Sequence, residues 1–461
     1  MIRLLHVHFA GRTVLLLISE TILVAAALIA AVFGWVAIDG DAPLVYGGEL
    51  YKFLLPCAMC MLSMYYYDLY DSAVLRSTRE CLPRLVQALG TVCVAIMLLY
   101  YVYPVVQLDR GAFLIWIALA GVVLVMWRHL FWVLNRSSRL SQRTLLIGTG
   151  PLAQALPYEI AVRPELGIDL LGFVGPEVES SETDLFKLGE LEQLDDLVEE
   201  RNISRLIITM RDRRGALPVE ALLAIKSRGV TVQDGVQVYE AITGKIHLES
   251  LRPSWLLFSN GFCVSKAMLL YKRVASIIFS ILGLVVSLPV MMIVALAIRL
   301  DSPGPILFRQ KRVGRGGKQF TIFKFRTMFQ GSDSHGAWKP AEKRDRRFTR
   351  LGKWLRRTRL DELPQLYNIL RGDMYFIGPR PFTSNLENDF SQQIPFYSYR
   401  WRIKPGATGW AQTQRGYCSS LEDNAEKLSY DLYYVKNLSL GLDCLILFQT
   451  IKILLLGRGS R

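Results

Sequence analysis

The residues best equipped for chemistry lie between Thr358 and Pro381, in TRLDELPQLYNILRGDMYFIGPRP. Two adjacent carboxylates, Asp361 and Glu362, sit there among arginines. From Arg299 to Arg380 twenty Lys/Arg stand against seven Asp/Glu. The whole chain carries a formal charge of +14, so nearly all of the imbalance falls in this stretch. Neighbouring cations favour the charged form of a carboxylate, and both acids are therefore expected to stay ionised. An ionised pair suits a nucleophile or a metal ligand better than a general acid. Two acids near a helix N-terminus would look the same in sequence and need no chemistry.

The elements that position this pair come from a chain of 461 residues, long enough for two or three domains. Hydrophobic residues make up 51%, charged residues 20%, and the mean hydropathy is +0.27, which points to membrane segments. A pI near 9.4 points to anionic partners. Seven cysteines form no disulfide framework, and Cys57 and Cys60 fall within an apolar run. No cleavable signal peptide is expected, because the apolar stretch behind Arg12 is too long. Four long apolar runs, about Val14–Ile38, Leu44–Tyr66, Leu85–Val106 and Phe113–Leu134, are each close to the ~20 residues that cross a bilayer. Arg3 and Arg12, then Arg76, Arg79 and Arg84, then Arg136, Arg139 and Arg143 mark one side of these runs. Asp39, Asp41 and Asp109, with a single Arg110, mark the other. The positive-inside tendency places the N-terminus and everything after Arg136 in the cytoplasm.

The expected order is a four-helix transmembrane domain over 1–140, a cytoplasmic Rossmann-like parallel α/β domain over 141–240, a linker over 241–266, and a mostly helical catalytic domain over 267–461. In the second, an apolar strand runs into Gly148-x-Gly150-x-x-Ala153, and strand-like segments follow at Leu170–Val174, Arg205–Thr209 and Val230–Gln233. A glycine turn also serves plain strand–helix packing. Asp169 lies near the spacing of a ribose-binding acid, or in a loop. In the linker, Trp255, Leu256, Leu257 and Phe258 suit either the membrane interface or a small core.

Val274 to Ile298 is apolar throughout, yet basic residues flank both ends: Lys266, Lys272 and Arg273 before it, Arg299, Arg309, Lys311 and Arg312 after it. A crossing would strand one cluster outside. Pro289 deletes a backbone hydrogen bond, and Ser287 could cover the freed carbonyl. The expectation is a re-entrant helix over 272–299, bent at Ser287–Pro289, with a kinked spanning helix as the alternative. A hairpin around Gly314–Gly317 should then deliver Lys324 and Arg326 on one strand face. After it come a polar loop from Ser332 to Arg350, a helical pattern from Leu351 to Leu370 carrying Arg356, and a rigid turn presenting Arg380. A second turn-rich segment, KPGATGWAQ, precedes Asp431 and Lys436 in SYDLYYVKN. An interfacial helix, Leu440–Leu456, is capped by Arg458 and Arg461.

Arginines clamp phosphates through paired N–H bonds. Carboxylates hold Mg²⁺ and can attack phosphorus to form an acyl phosphate. The consistent reaction is transfer of a phosphoryl-containing group at the membrane surface. At these residues the chain resembles the bacterial polyprenyl-phosphate glycosyl-1-phosphate transferases. The resemblance runs from about Ala267 to Gly457, through the apolar segment, RQKRVGRGGKQFTIFKFRTM, LDELPQLYNILRGDM, IGPRP, KPGATGWAQ and YDLYYVKN, in family order. The upstream part looks like the large exopolysaccharide-type members, and GKIHLESLRPSWLLFSNGF is similar to the subgroup linked to PEP-CTERM sorting.

The resemblance implies that Asp361 attacks the β-phosphate of a UDP-sugar, releasing UMP, and that undecaprenyl phosphate then takes the phosphosugar. It implies Glu362 as dyad partner, Mg²⁺ at Asp361, Lys324, Arg326, Arg356 and Arg380 as substrate-side cations, and Asp431 as a supporting acid. Ser287 and Pro289 would set the bend. The implied setting is the bacterial inner membrane with the catalytic domain facing the cytoplasm, in contact with inner-membrane lipids. Many members read GWAQVNGR where this chain has GWAQTQRGY, which displaces Arg415 by one position. Nucleic-acid binding is disfavoured, since charge beside a membrane helix has a lipid explanation. A membrane-bound nucleotide-sugar dehydratase would need Tyr-x-x-x-Lys, and no tyrosine here has a lysine four residues on. A non-enzymatic scaffold of polysaccharide export is the other alternative. The sugar and the oligomeric state, with a homodimer as one option, are left open.

Overall fold

The computed structural model describes residues 2–4, 7–39, 50–75, 77–135, 141–175, 186–210, 217–252, 255–256, 259, 261–262, 264–331, 347–415 and 420–456. Asp41, Arg76, Arg136, Arg139, Leu257, Phe258, Gly416, Tyr417, Arg458, Arg461 and residues 332–346 of the polar loop lie outside the described residues. The chain forms two compact units, Met1–Arg3 with His8–Thr243 and Leu4–Val7 with Gly244–Arg461.

In the first unit the apolar runs become the helices Gly11–Asp39, Tyr51–Tyr66, Thr78–Val102 and Arg110–Asn135. The first, third and fourth are long and apolar enough to cross a membrane, as is Lys266–Asp301 in the second unit. The protein is a membrane protein. Of the second run the helix Tyr51–Tyr66 is described, 16 residues long, and residues 44–49 lie outside the described residues. Large residues such as Leu28, Leu85, Trp116 and Leu124 fill the centre of this bundle, and Ile22, Phe33, Leu98 and Met126 cover its outside. A charged pair is buried in the bundle: Arg128 Nε lies 2.7 Å from Glu20 Oε1.

The rest of this unit is a five-stranded parallel sheet: β1 (Gln142–Ile147), β2 (Ile168–Val174), β3 (Lys187–Gly189), β4 (Arg205–Ile208) and β5 (Thr231–Asp234), in the order β3-β2-β1-β4-β5. That is the doubly wound order expected of a Rossmann-like half. Gly148 turns the chain out of β1 at φ +86°, and a Cβ there would meet the Met210 side chain. The helix Pro151–Ala161 follows. Asp169 is paired with Arg143 in the first turn of β2, at the N-terminal end of the strand. A ribose-binding acid belongs at the opposite, carboxyl end of the sheet, so that reading of Asp169 does not hold.

In the second unit the segment expected to be a linker joins the core instead. Ile246, Leu251 and Phe262 pack with Leu428, Leu432 and Tyr434 of the helix Leu421–Lys436. Trp255 and Leu256 pack against the same cluster, and Lys436 lies 4.2 Å over the Trp255 ring. The helix Lys266–Asp301 then runs 36 residues without interruption through Pro289. Ser287 Oγ points at Met291 Sδ (3.5 Å) rather than at a carbonyl. The antiparallel hairpin β6 (Leu307–Val313) and β7 (Gln319–Phe325) follows as expected.

The continuous helical pattern from Leu351 to Leu370 is broken in three: the helix Arg350–Thr358, a 3-10 turn Leu360–Glu362, and the helix Gln365–Arg371. Arg359 makes the break in the left-handed region (φ 59°), and Pro364 caps the second helix. Finally β8 (Tyr375–Ile377) and β9 (Gly406–Thr408) pair in parallel. Here IGPRP and KPGATG meet glycine on glycine. A Cβ on Gly378 would come within 2.7 Å of the Lys404 carbonyl oxygen, so neither turn has room for a side chain.

Candidate active site

Asp361 and Glu362 occupy the 3-10 turn between two short helices, which sets their side chains at one end of β7. The turn is anchored from below. Buried Asn368 accepts a hydrogen bond from Phe323 N–H (3.0 Å) and donates one to the Thr321 carbonyl (2.7 Å). Its amide thereby pairs with the free edge of β7 as a neighbouring strand would, and fixes the strand that carries Lys324 against the helix behind the dyad. Arg273 caps the far end of that helix, reaching the carbonyls of Ile369 (2.6 Å) and Leu370 (2.7 Å). Lys404 adds a bond to the Gly372 carbonyl (2.6 Å).

Two cations converge on one oxygen of Glu362: Lys324 Nζ at 2.8 Å and Arg380 Nη2 at 2.7 Å from Oε1. Burial alone would raise the Glu362 carboxyl, but Arg380 and Lys324 hold it well below the usual carboxylate range. The Lys324 ammonium is lowered by burial and by Arg380, with Glu362 opposing. Asp361 differs. It is 8% exposed, and among the described residues it accepts no hydrogen bond and forms no ion pair. Burial and the Glu362 charge push its carboxyl up to about 6, against the pull of Lys324, Arg356 and Arg380. The surrounding cations thus act on the two acids unequally. Glu362 is held as an anion, and Asp361 is a less stabilised, more basic carboxylate that pairs directly with no side chain among the described residues.

The structure brings Lys324, Arg356 and Arg380 to the dyad and leaves Arg326 and Asp431 out. Arg326 lies just past the end of β7 and is buried. Its guanidinium binds the Ser302 carbonyl (2.6 Å), Ser302 Oγ (2.9 Å) and the Pro303 carbonyl (3.0 Å). It closes the end of the helix Lys266–Asp301 and does not share a face with Lys324. Asp431 is buried on Leu421–Lys436, bound by Arg400 at 2.9 Å. Arg356 also stacks over Phe348, 4.5 Å from its ring. Arg415 pairs with Glu426, which also takes Lys245 at 3.2 Å.

Three groups escaped the sequence reading: Asn368, the Arg400–Glu387 pair, and the Lys272–Asp443–Tyr434 cluster. By its sequence Lys272 is one of the basic residues flanking the apolar run Val274–Ile298. In the structure it is buried, 3.0 Å from Asp443 Oδ2, and Tyr434 OH donates to Asp443 Oδ1 at 2.6 Å. Asp443, read as one polar position of an interfacial helix, is spent on this tie. An acid and a base each at an otherwise apolar helix position were the available signals.

The chain matches the family described as bacterial sugar transferase over residues 267–457, and a CoA-binding domain family over residues 66–222. It is 42% identical over 225 residues to the UDP-N-acetylgalactosamine-undecaprenyl-phosphate N-acetylgalactosaminephosphotransferase of Aeromonas hydrophila, covering 49% of this chain and 52% of that one. It is 31% identical over 329 residues to the UDP-glucose:undecaprenyl-phosphate glucose-1-phosphate transferase of Xanthomonas campestris pv. campestris (67% and 66% of the two chains). To the protein of the same name in Escherichia coli (strain K12) it is 31% identical over 350 residues, 73% and 74% of the two chains. The chain spans between half and two thirds of the length of the first two relatives. The dyad, its cations and the motifs that hold them all fall within the matched region, and the chain belongs to the bacterial sugar transferase family.

Proposed function

We propose that the protein transfers a sugar-1-phosphate from a UDP-sugar to undecaprenyl phosphate at the cytoplasmic face of the inner membrane. The observation that carries this is the asymmetry of the dyad: an unpaired, basic Asp361 beside a Glu362 already held by Lys324 and Arg380. An Asp361 oxygen attacks the β-phosphorus of the donor, and the bond from that phosphorus to the bridging oxygen breaks. UMP leaves with that oxygen, and the sugar phosphate stays on Asp361 as an acyl phosphate. A phosphate oxygen of the polyprenyl acceptor then attacks the same phosphorus, which forms the lipid diphosphate sugar and frees the carboxylate. Arg380, Lys324 and Arg356 face the developing phosphate charge. The names of the relatives support the donor and acceptor classes.

Among the described residues no cluster of three or more His, Cys, Asp or Glu could hold a metal by itself. Mg²⁺ is commonly bound by one or two carboxylates together with substrate phosphates, and the uncompensated Asp361 fits that donor set. When bound there, Mg²⁺ would neutralise charge on the transferring group.

The re-entrant reading of Lys266–Asp301 is supported by its packing. At 36 residues the helix would measure about 54 Å if straight. Its first turns are held through Lys272, Arg273 and Ser276, and its middle lies against Leu366, 3.2 Å from a Cβ on Gly283. Met291, Val294 and Ile298 pack with Leu360, Leu363, Leu355 and Phe325. One water-facing domain thus contacts the helix from end to end. The other face, including Leu282, Val285, Val286, Ile293 and Leu296, is exposed and apolar, as a leaflet-embedded helix requires. UMP release from a panel of UDP-sugars by purified membranes tests the activity. Membranes rich in the protein that release none above the empty-vector level would sink it.

A further inference from the structure

We propose that Arg400 is a positioning residue for the transfer reaction: through the backbone of Arg380 it sets where the Arg380 guanidinium meets the substrate phosphate. The inference rests on the transferase reading above. Arg380 sits between Pro379 and Pro381. Pro381 has no N–H to tie the Arg380–Pro381 bond into a turn, and each proline restricts the residue before it. The turn is held from outside instead. The Pro379 carbonyl accepts from Gly406 N–H (2.9 Å), the Arg380 carbonyl from Arg400 Nη2 (2.8 Å), and the Pro381 carbonyl from Arg312 Nη1 (3.2 Å).

Arg400 is itself built in. It is 3% exposed and lies on the 3-10 stretch Tyr397–Arg402. Nη1 donates to Glu387 Oε1 (3.1 Å) and to Tyr397 OH (2.6 Å), and Nη2 to Asp431 Oδ2 (2.9 Å). The Phe382 and Tyr397 rings lie 4.9 and 5.1 Å from its guanidinium carbon. Glu387 also holds the Trp401 indole N–H (2.8 Å) and lies 3.4 Å from Phe382 N, on the other side of the Arg380–Pro381 bond. Two buried carboxylates and the Tyr397 hydroxyl thus fix one guanidinium, and its remaining bond fixes the carbonyl of a residue whose side chain reaches Glu362. Asp431 takes its place here: it steadies Arg400 and touches no group of the dyad. A planar guanidinium fork serves four differently placed acceptors here, and a lysine ammonium does not reproduce it.

The test is a double-mutant cycle on UMP release, with Arg400→Lys and Arg380→Ala alone and together in the full-length protein. Arg380→Ala should lower kcat/KM by about 10²–10³-fold, the loss typical of one preorganised donor. Arg400→Lys should lower it by about 10²-fold, the effect of a small misplacement. If Arg400 acts through Arg380, adding Arg400→Lys to Arg380→Ala should cost less than about twofold more. Multiplied single effects in the double variant would overturn the positioning role, and so would a single Arg400→Lys variant with wild-type kcat/KM. If Arg400→Lys does not accumulate in membranes, Glu387→Gln, which keeps the size and an acceptor oxygen, replaces it in the same cycle with the same two readings. Wild-type protein that releases no UMP would remove the transferase reading. Wild-type release with additive variants would remove the positioning role alone.

Discussion

Arg128 and Arg400 are both buried arginines held by carboxylates, one inside the membrane bundle and one beside the candidate active site. Arg128 meets a single acid: its Nη2 donates to Glu20 Oε2 at 3.0 Å, its Nε lies 2.7 Å from Oε1 as an ion pair, and Tyr70 OH donates to the same carboxylate at 2.8 Å. Its Nη1 goes to the Leu69 carbonyl (2.9 Å), at the turn that follows the helix Tyr51–Tyr66, and to Cys81 Sγ (3.6 Å). One charge answers one charge, and the result is a fixed helix packing. Arg400 meets two acids, and its last bond goes to the backbone of a residue that reaches the dyad. The same chemistry serves architecture in one place and aim in the other, and the last acceptor decides which.

The dyad repeats the contrast over one peptide bond. Two cations hold one oxygen of Glu362, and Asp361 has no such ion pair among the described residues. Replacing Asp361 with Asn should therefore give the largest effect, a loss of UMP release of about 10⁴-fold or more, while the protein still inserts in membranes. Near-normal turnover in that variant removes the nucleophile assignment. Arg380→Ala comes next, at about 10²–10³-fold in kcat/KM, with folding retained on thermal unfolding.

Arg128→Ala should do the opposite: it leaves Glu20 buried without its partner and costs about 3–5 kcal/mol of stability. The variant should lose thermal stability in detergent while UMP release per folded molecule stays at the wild-type level. A catalytic defect with unchanged stability would erase the distinction between the two arginines.

The smallest effect is a pH dependence. Asp361 titrates near 6 and must be ionised to attack, so kcat/KM should fall on the acid side, by about tenfold per unit below that value. Its folded-state carboxyl is raised above the unfolded value, so folding binds the proton. Asp361 therefore costs stability increasingly as pH rises through the window from about 4 to 6. Asp361→Asn should accordingly melt higher than wild type at pH 7.5, and an acid limb unchanged from an ordinary aspartate near 4 would contradict the burial argument.

Much of this was legible in the sequence because it was written in local signals. Apolar run length, the glycine turn after β1, and the strand–turn–strand around Gly314–Gly317 all follow from chain-local physics. Four of the five α/β strands follow from period and composition, while β3, three residues at the sheet edge, is too short to leave such a pattern. What was not legible depended on partners far along the chain. Lys272 reads as a membrane flank until Asp443, 171 residues away, is placed beside it. Arg326 reads as a companion of Lys324 because strand residues two apart share a face, but β7 stops at Phe325 and the next side chain turns to Ser302. The break at Arg359 is hidden because a non-glycine residue takes the left-handed conformation there; Pro364 was the local hint. Asn368 lies within the motif LDELPQLYNILRGDM and Arg400 outside every motif, but each is meaningful only through the backbone groups it holds.

The most direct test is to mix the purified full-length protein with a UDP-sugar it accepts, without polyprenyl acceptor, and to measure UMP and the mass of the protein together. One UMP should appear per active site, with a sugar-phosphate adduct on the peptide that holds Asp361, and the adduct should vanish when undecaprenyl phosphate is added. UMP formed only when acceptor is present, with no adduct at any time or with the adduct on another residue, would contradict the account.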